Sequence, residues 1–111
     1  MIVLDASAVL ALLFREAGHT QVAAHLDQSC VSTVNLAEVI GRFVRDGHPA
    51  TDIWRQVAAL PIEVVPFTAV EAVIAAAMLP RARPLGLSIA DRACLALAIR
   101  RDLPVLTADR A

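Results

Sequence analysis

The sequence contains no lysine, because all ten of its basic residues are arginine. This absence excludes mechanisms that need a lysine amine, such as the Walker P-loop, Schiff-base catalysis and the lysine-assisted phosphoryl transfer of receiver domains and phosphatases. Tyrosine is also absent, and aromatic residues make up only 4% of the chain. We therefore expect no aromatic platform of the kind on which single-strand binders stack bases.

Cysteine is scarce, and the chain has no long uncharged apolar run. Cys30 and Cys94 lie far apart in apolar stretches without a CxxC pattern, which predicts two buried, inert thiols. No segment reaches the roughly 18 apolar residues of a membrane span. The apolar start, Met1–Phe14, carries Asp5 and lacks the positive region and cleavage site of a signal peptide. These features predict a cytoplasmic protein without a membrane partner.

What the chain does have is the composition of one folded domain. Its 111 residues are 58% hydrophobic and 19% charged, which excludes intrinsic disorder and predicts a single domain spanning residues 1–111. The formal net charge is −1, so the molecule as a whole does not attract nucleic acid. Any binding of a polyanion would have to rely on local arginines or on a bound cation.

Short apolar runs alternate with segments rich in helix-forming residues. The predicted strands are Met1–Leu4, Cys30–Val31, Ile62–Val65 and Leu103–Leu106. The predicted helices are Ser7–Phe14, Ala17–Gln28, Asn35–Arg45, Pro49–Leu60, Thr68–Leu79 and Ile89–Arg101, with a loop over Arg81–Leu87. This alternation predicts an α/β sandwich with a short, mostly parallel central sheet. In such folds, ligands bind beyond the carboxyl ends of the strands.

Four acidic residues fall at positions that this rule makes important. Asp5 and Asp109 directly follow predicted strands, whereas Glu38 and Asp91 lie in the predicted first turns of helices. Strand exits and the starts of the following helices share one sheet edge, so the four carboxylates are expected to converge. Converging carboxylates repel one another unless a cation intervenes. Because all the ligands would be oxygens, Mg²⁺ or Mn²⁺ is the expected ion.

Each of these acids also has a purely structural interpretation. Ser88 and Asp91 have the spacing of a capping box, and Asn35 and Glu38 have a looser version of it. Asp5 could simply form a turn, and Asp109 could be a solvated surface acid. The four positions together are more specific than any one of them, because each independently falls at the same sheet edge.

Two pairs of polar residues could support such a site. Ser7 and Thr107 flank Asp5 and Asp109 and could hold a metal-bound water, although local capping explains them equally well. Arg81 and Arg83 lie in the predicted loop before the helix that carries Asp91, where they could meet phosphate at the mouth of the cleft. A solvated loop is the alternative for this second pair.

Four motifs together resemble the PIN domain, and particularly the VapC-type toxin ribonucleases of bacterial toxin–antitoxin modules. The motifs are Ile2–Ala8 (IVLDASA), Asn35–Val39 (NLAEV), Gly86–Ala93 (GLSIADRA) and Leu103–Asp109 (LPVLTAD). Their order and spacing agree across essentially the whole chain. The resemblance implies a three-layer α/β/α sandwich in which Asp5, Glu38, Asp91 and Asp109 form an acidic quartet that holds Mg²⁺ or Mn²⁺. It also matches Ser7 and Thr107 to positions that often keep a hydroxyl near the metal.

The resemblance further implies metal-dependent hydrolysis of RNA phosphodiester bonds that leaves a 5′-phosphate. The expected partners are an RNA substrate, a cognate antitoxin and a second copy of the chain in a homodimer. Family members usually continue beyond the last motif through another helix turn and a closing strand. The chain ends at Ala111, so that strand is expected to be missing, by truncation or by true absence, which leaves Asp109 the least secure of the four.

Two other functions compete with this prediction. Asp5 could be the phosphorylated nucleophile of a receiver-like domain or an aspartate-based phosphatase, but such enzymes need a lysine, and Ser7 stands where those phosphatases place a second aspartate. Alternatively, the chain could be a non-catalytic module whose carboxylates only cap helices and whose apolar helices bind a protein partner.

Overall fold

The computed structural model describes residues 1–109, and within them four parallel strands form one sheet. The strands are β1 (Ile2–Leu4), β2 (Ser29–Ser32), β3 (Ile62–Val65) and β4 (Val105–Leu106). Their order across the sheet is β3-β2-β1-β4, with every neighbouring pair parallel. All four strands therefore end at the same edge of the sheet.

The described residues also contain seven α-helices. They are α1 (Ala6–Phe14), α2 (His19–Ala24), α3 (Thr33–Arg45), α4 (Ala50–Ala58), α5 (Ala69–Ala77), α6 (Leu79–Leu85) and α7 (Ile89–Arg101). In residues 1–109, no helix has both the length and the apolar character that crossing a membrane requires.

Helices cover both faces of the sheet. Successive residues of a strand point to opposite faces, so each strand contributes side chains to the cores on both sides. Leu4 and Val31 pack into one core cluster with residues of α1, α3 and α4. Val3 and Cys30 point the other way and pack with Leu97 and its neighbours on α7. The predicted three-layer α/β/α sandwich with a parallel central sheet is confirmed.

The predicted loop over Arg81–Leu87 is wrong, since most of it belongs to α6. Pro80 occupies the first turn of this helix, where a missing backbone N–H leaves no hydrogen bond unmade. Gly86 ends the helix with a φ of 68°, a left-handed conformation that glycine adopts without strain. The two prolines suggested a loop, but one of them helps to start a helix.

Two other helices begin two residues away from their predicted first residues. Gly18 has a φ of 92°, so α2 begins only after it, and a separate 3-10 turn at Leu26–Gln28 follows the helix. Helix α3 begins two residues earlier than predicted, because the Ser32 hydroxyl accepts a hydrogen bond from Val34 N at 3.2 Å and caps it.

Candidate active site

A cavity of about 400 Å³ opens at the carboxyl edge of the sheet, and four acidic side chains line it. Asp5 follows β1, and Asp109 follows β4. Glu38 belongs to α3, and Asp91 belongs to the first turn of α7. The structure thus brings together, around one cavity, the four carboxylates that the sequence predicted to converge.

Asp5 has two structural tasks at the start of α1. Its Oδ1 atom accepts a hydrogen bond from Ala8 N at 2.9 Å, which caps the helix, and another from Ser7 Oγ at 2.7 Å. The side chain is half-buried. Among the described residues, Oδ2 has no hydrogen-bond partner, so one oxygen remains available to a ligand in the cavity.

Asp91 repeats this arrangement at the start of α7. Its Oδ2 atom accepts a hydrogen bond from Ser88 N at 2.9 Å, and Ser88 Oγ accepts one from Asp91 N at 3.1 Å. The capping box considered in the sequence analysis is therefore present. It uses only Oδ2, and within residues 1–109 Oδ1 has no hydrogen-bond partner. Capping and a role in the cavity are compatible, since each uses a different oxygen.

Glu38 lies in the middle of α3 rather than in its first turn. Because the helix begins at Thr33 and Ser32 caps it, the proposed capping role of the Asn35–Glu38 spacing is wrong. Desolvation in the cavity raises the pKa of Glu38 above its usual value. The negative charge of Asp91 raises this pKa further, as do those of Asp5 and Asp109 to a smaller extent, against the opposing effect of the Asn35 amide. The four carboxylates therefore interact electrostatically.

Asn35 is a site residue that the sequence analysis assigned to a different task. It is 1% exposed, lines the cavity, and donates a hydrogen bond from Nδ2 to Ala90 O at 3.0 Å. This bond ties α3 to the first turn of α7, next to Asp91. Its Oδ1 atom is buried without a partner in the described chain. Asn35 lies three residues before Glu38, so the two residues share one face of α3. This spacing would have indicated that Asn35 lines the site only if α3 had been predicted to begin at Thr33.

Ser7 and Thr107 join the Asp5 and Asp109 segments through a chain of hydrogen bonds. Ser7 Oγ donates its one hydrogen to Asp5 Oδ1. In its 3.1 Å contact with Thr107 Oγ1, the Ser7 hydroxyl is therefore the acceptor and the Thr107 hydroxyl is the donor. Thr107 Oγ1 in turn accepts from Asp109 N at 3.1 Å, and Ser7 Oγ also accepts from Ala108 N at 2.9 Å. The two hydroxyls therefore hold the strand exits of β1 and β4 together.

Arg81 and Arg83 do not line this cavity, because both lie on α6. Arg81 instead lines a separate, mainly apolar cavity between α5 and α6. The predicted position of these two arginines at the mouth of the cleft is therefore corrected. The arginines that do line the acidic cavity are Arg42 and Arg45 of α3.

The donor groups around the cavity are of the kind that a hard divalent cation prefers. They are carboxylate, amide and hydroxyl oxygens. Cys94 lies nearby, but burial, followed by the charges of Asp5 and Asp91, raises its pKa to about 12, so the thiol stays protonated. Both cysteines are free and buried, as predicted. Within residues 1–109, no three His, Cys, Asp or Glu side chains are grouped closely enough to hold a metal ion.

Comparisons with known proteins agree with this architecture. The sequence model of the PIN domain matches residues 2–111. The sequence matches no curated protein at a significant level. Among solved structures, the Mycobacterium tuberculosis toxin VapC20, described as cleaving the sarcin–ricin loop, superposes with a TM-score of 0.80 at 20% identity, covering 99% of this chain and 91% of that one.

Two toxin–antitoxin complexes are also similar in fold. The complex from Klebsiella pneumoniae has a TM-score of 0.78 at 16% identity, with coverage of 98% of this chain and 87% of that one. VapBC2 from Rickettsia felis, solved with a promoter DNA fragment, has a TM-score of 0.72 at 17% identity, with coverage of 98% and 89%. At these identities, the structural likeness establishes the shared fold.

Proposed function

The chain belongs to the PIN domain family, and from this premise we propose that it is a metal-dependent endoribonuclease, the toxin of a toxin–antitoxin pair. The observation that carries the proposal is the acidic cavity, where carboxylates from four separate segments line one space at the sheet edge. Proteins of the same fold include a toxin described as cleaving the sarcin–ricin loop and toxins solved with their antitoxins.

The proposed metal ligands are Asp5, Glu38, Asp91 and Asp109, and the proposed ion is Mg²⁺ or Mn²⁺. When bound, such an ion lowers the pKa of a coordinated water and neutralises charge that develops on the phosphate. It also offsets the repulsion between the acidic cavity and an RNA strand, which a molecule of net charge −1 does not otherwise overcome. The oxygen ligands around the cavity are of the type that such an ion prefers. Their present separation is too large, so metal binding would have to bring the carboxylates closer together.

The surrounding residues keep these carboxylates in place. The helix caps hold one oxygen each of Asp5 and Asp91, and both residues line the cavity. The Asn35 amide keeps α3 against the start of α7. The hydroxyls of Ser7 and Thr107 hold the Asp109 segment beside Asp5. Such preorganisation lowers the reorganisation needed when charge develops on a bound phosphate.

The proposal is tested by incubating the purified protein and its Asp5→Asn and Asp91→Asn variants with RNA in Mg²⁺, in Mn²⁺ and in chelator. Each variant should lose several orders of magnitude in cleavage rate, because removing a metal ligand disables the nucleophile. Asn keeps an oxygen that can accept the capping hydrogen bond, so both variants should remain folded. Asp27→Asn, which removes an exposed carboxylate outside the cavity, is the matched control. Near-wild-type cleavage by either ligand variant would refute the assignment.

We also propose an antitoxin partner and a homodimer. Large apolar side chains are exposed on neighbouring helices of one layer: Val73 of α5 is 70% exposed, Leu85 of α6 is 73% exposed and Ile89 of α7 is 53% exposed. We assign these side chains to the proposed protein-binding surface, since contiguous exposed apolar patches mark such surfaces. Light scattering should report a mass of two chains, and a strict monomer at high concentration would remove the homodimer. Harmless expression in the host cell, together with no bound product of a neighbouring small reading frame, would remove the toxin–antitoxin assignment.

A further inference from the structure

We propose that Arg42 and Arg45 bind the phosphates of the RNA strand along one face of α3, and that Gly41 keeps this face open to the strand. The inference rests on the ribonuclease function proposed above, which names the substrate but not the groups that hold it. The sequence suggested Arg81 and Arg83 as the phosphate-binding residues, but neither of them lines the cavity. We assign phosphate binding to Arg42 and Arg45 instead.

The two arginines lie on the same side of α3 as the acidic group. Glu38, Arg42 and Arg45 all line the cavity, and residues four and seven positions apart share a helix face. At 1.5 Å per residue, Arg42 lies about 6 Å and Arg45 about 10 Å further along the helix axis than Glu38. The two cations therefore extend along α3 away from Glu38, as phosphates of an extended strand on both sides of that residue's cavity would require.

Arg42 also stands between two cavities. It lines the acidic cavity and a second one of about 410 Å³, which is bounded by Glu16 and Ala17 beyond α1 and by the Ala108–Asp109 segment. Each cavity is within the size range of small-ligand sites. Among the described residues, Arg42 is the one arginine that lines both cavities, so it could contact a strand that occupies either of them.

The charges of both arginines remain largely available. The Nε atom of Arg42 lies 3.8 Å from Asp46 Oδ2, and that of Arg45 lies 3.9 Å from Asp46 Oδ1, too far for hydrogen bonds. Exposed pairs of this kind are weak. Neither contact uses the terminal amino groups, which can bind a phosphate through two parallel hydrogen bonds. The Arg42 guanidinium also lies 5.8 Å from the centre of the Phe14 ring, an attractive contact that helps to orient it.

Gly41 is the second, independent observation. Glycine is unfavourable inside a helix, so its presence at position 41 needs a reason. A positive φ is not that reason, because Gly41 is not among the positive-φ glycines. A Cβ atom built at Gly41 would meet nothing within 4 Å, so packing does not require glycine either. Since Gly41 lines the cavity between Glu38 and Arg42, its missing side chain widens the space beside the arginines.

The test measures both binding and cleavage with one probe, a fluorescently labelled single-stranded RNA oligonucleotide. The proteins are wild type, Arg42→Gln, Arg45→Gln, Gly41→Leu and the control Arg55→Gln. The control removes an exposed arginine of α4 that does not line the cavity. Binding is followed by fluorescence anisotropy over a series of salt concentrations, and cleavage is followed by steady-state kinetics in Mg²⁺. Thermal melts confirm that each variant is folded.

Each arginine variant should raise the dissociation constant and KM by about 5- to 10-fold, with a smaller change in kcat. Each should also reduce the slope of log affinity against log salt by about 0.7, the value for one phosphate contact on a single strand. Gly41→Leu should raise KM while leaving the salt slope unchanged, because it blocks space without removing charge. Arg42→Lys, which keeps the charge, should recover part of the binding lost in Arg42→Gln.

The outcomes separate this inference from the proposed ribonuclease function. If wild type cleaves RNA and the arginine variants behave like Arg55→Gln, the inference is wrong and the ribonuclease stands. If wild type binds RNA through Arg42 and Arg45 but never cleaves it, the binding face stands and the ribonuclease fails. If the arginine variants lose a protein partner and keep wild-type KM and salt slope, the face belongs to that partner and the inference is overturned.

Discussion

At the scale of single residues, the site is built from side chains that also start helices. One oxygen of Asp5 caps α1 and one oxygen of Asp91 closes the capping box of α7, while the second oxygen of each is free of hydrogen bonds within residues 1–109. From the sequence alone, capping and ligand binding are alternative roles for these aspartates. In the structure the two roles are compatible, because the helix cap uses one carboxylate oxygen and leaves the other available for a ligand.

Glu38→Gln should raise the melting temperature of the metal-free protein at neutral pH. Its pKa is raised by desolvation and by the other carboxylates, so its ionised form destabilises the fold. A carboxyl with a raised pKa favours the folded state when protonated, and this advantage is lost as pH rises through the folded-state pKa. The gain of the variant should therefore appear as pH rises and disappear in strong acid.

Thermal melts in chelator, with Asp27→Asn as the control outside the cavity, measure this gain. Adding Mg²⁺ or Mn²⁺ should stabilise wild type more than Glu38→Gln, since ligand binding to the native state raises stability. A Glu38→Gln variant that melts like Asp27→Asn, with and without metal, would mean that the four carboxylates do not interact.

Asp91→Ala and Asp91→Asn separate the two tasks of this residue. Asn can keep the capping hydrogen bond from Ser88 N, whereas Ala cannot, so in chelator Asp91→Ala should be less stable by about 0.5–2 kcal/mol. Both variants should lose the stabilisation by metal, because both lack the charge. Urea unfolding in chelator and in Mn²⁺ measures the two effects. Equal stability of the two variants in chelator would show that the capping box contributes nothing.

At the scale of elements, α7 is anchored far from the cavity by an ion pair between a buried glutamate and an exposed arginine. Glu71 of α5 is 2% exposed, and Arg100 near the end of α7 donates to its Oε1 atom from 2.6 Å. The Thr68 hydroxyl donates to Oε2 of the same carboxylate. Asp91 lies at the other end of α7. The Glu71–Arg100 pair therefore helps to fix the helix on which this site residue is located.

The Glu71 pair should make the fold sensitive to acid. Hydrogen bonds from Thr68 and then Arg100 lower the pKa of Glu71 from 4.5 to about 2, despite the opposing effect of burial. A lowered pKa means that the ionised form stabilises the fold above about pH 4.5 and that this contribution is lost as pH falls through about 2.

Urea unfolding of wild type and Glu71→Gln between pH 2 and pH 7 tests this. The variant should be less stable by about 1–3 kcal/mol at neutral pH, and the difference should shrink as the pH falls below 4.5. Glu63→Gln breaks an exposed pair with Arg101 and should lose less than about 1 kcal/mol. A Glu71→Gln deficit that stays constant down to pH 2 would exclude the ionised carboxylate as its cause.

Gly41→Ala should stabilise α3 by about 0.5–1 kcal/mol, because alanine is the better helix residue and its Cβ meets no atom within 4 Å. Gly47→Ala is the contrasting control, since Gly47 has a φ of 95° and alanine there should destabilise the protein by about 1–2 kcal/mol. Denaturant unfolding of both variants measures the difference. A destabilised Gly41→Ala variant would show that the glycine serves the fold.

At the scale of the whole molecule, the sequence predicted the layers and the edge of the site because both depend on local patterns. Buried parallel strands are recognisable as short apolar runs. Asp5 directly follows the first of them, and Asp109 lies three residues after the last. What the sequence could not predict depends on how distant elements meet. The Asn35 amide finds its partner 55 residues away on Ala90, and the surroundings of Arg42 depend on how α3 packs against α7 and the sheet.

The same limit explains the error over residues 81–87. Pro80 and Pro84 are typical of loops, yet α6 contains both, with Pro80 in its first turn and Pro84 next to its last residue. Arg81 and Arg83 were expected near the carboxylates because they precede Asp91 in the chain, whereas α6 carries them elsewhere. Strand ends and helix starts indicated where the acids lie, whereas proximity to Asp91 in the sequence did not indicate where the arginines lie.

The central claim is that this acidic cavity hydrolyses RNA with the help of a divalent cation. The most direct measurement is an analysis of the ends of the products when pure protein meets RNA in Mg²⁺, then in excess chelator, and then in excess Mn²⁺. The account predicts fragments with 5′-phosphate ends that form with Mg²⁺, stop forming in chelator and form again with Mn²⁺. Cleavage that continues in chelator, or fragments with 5′-hydroxyl ends, would contradict it.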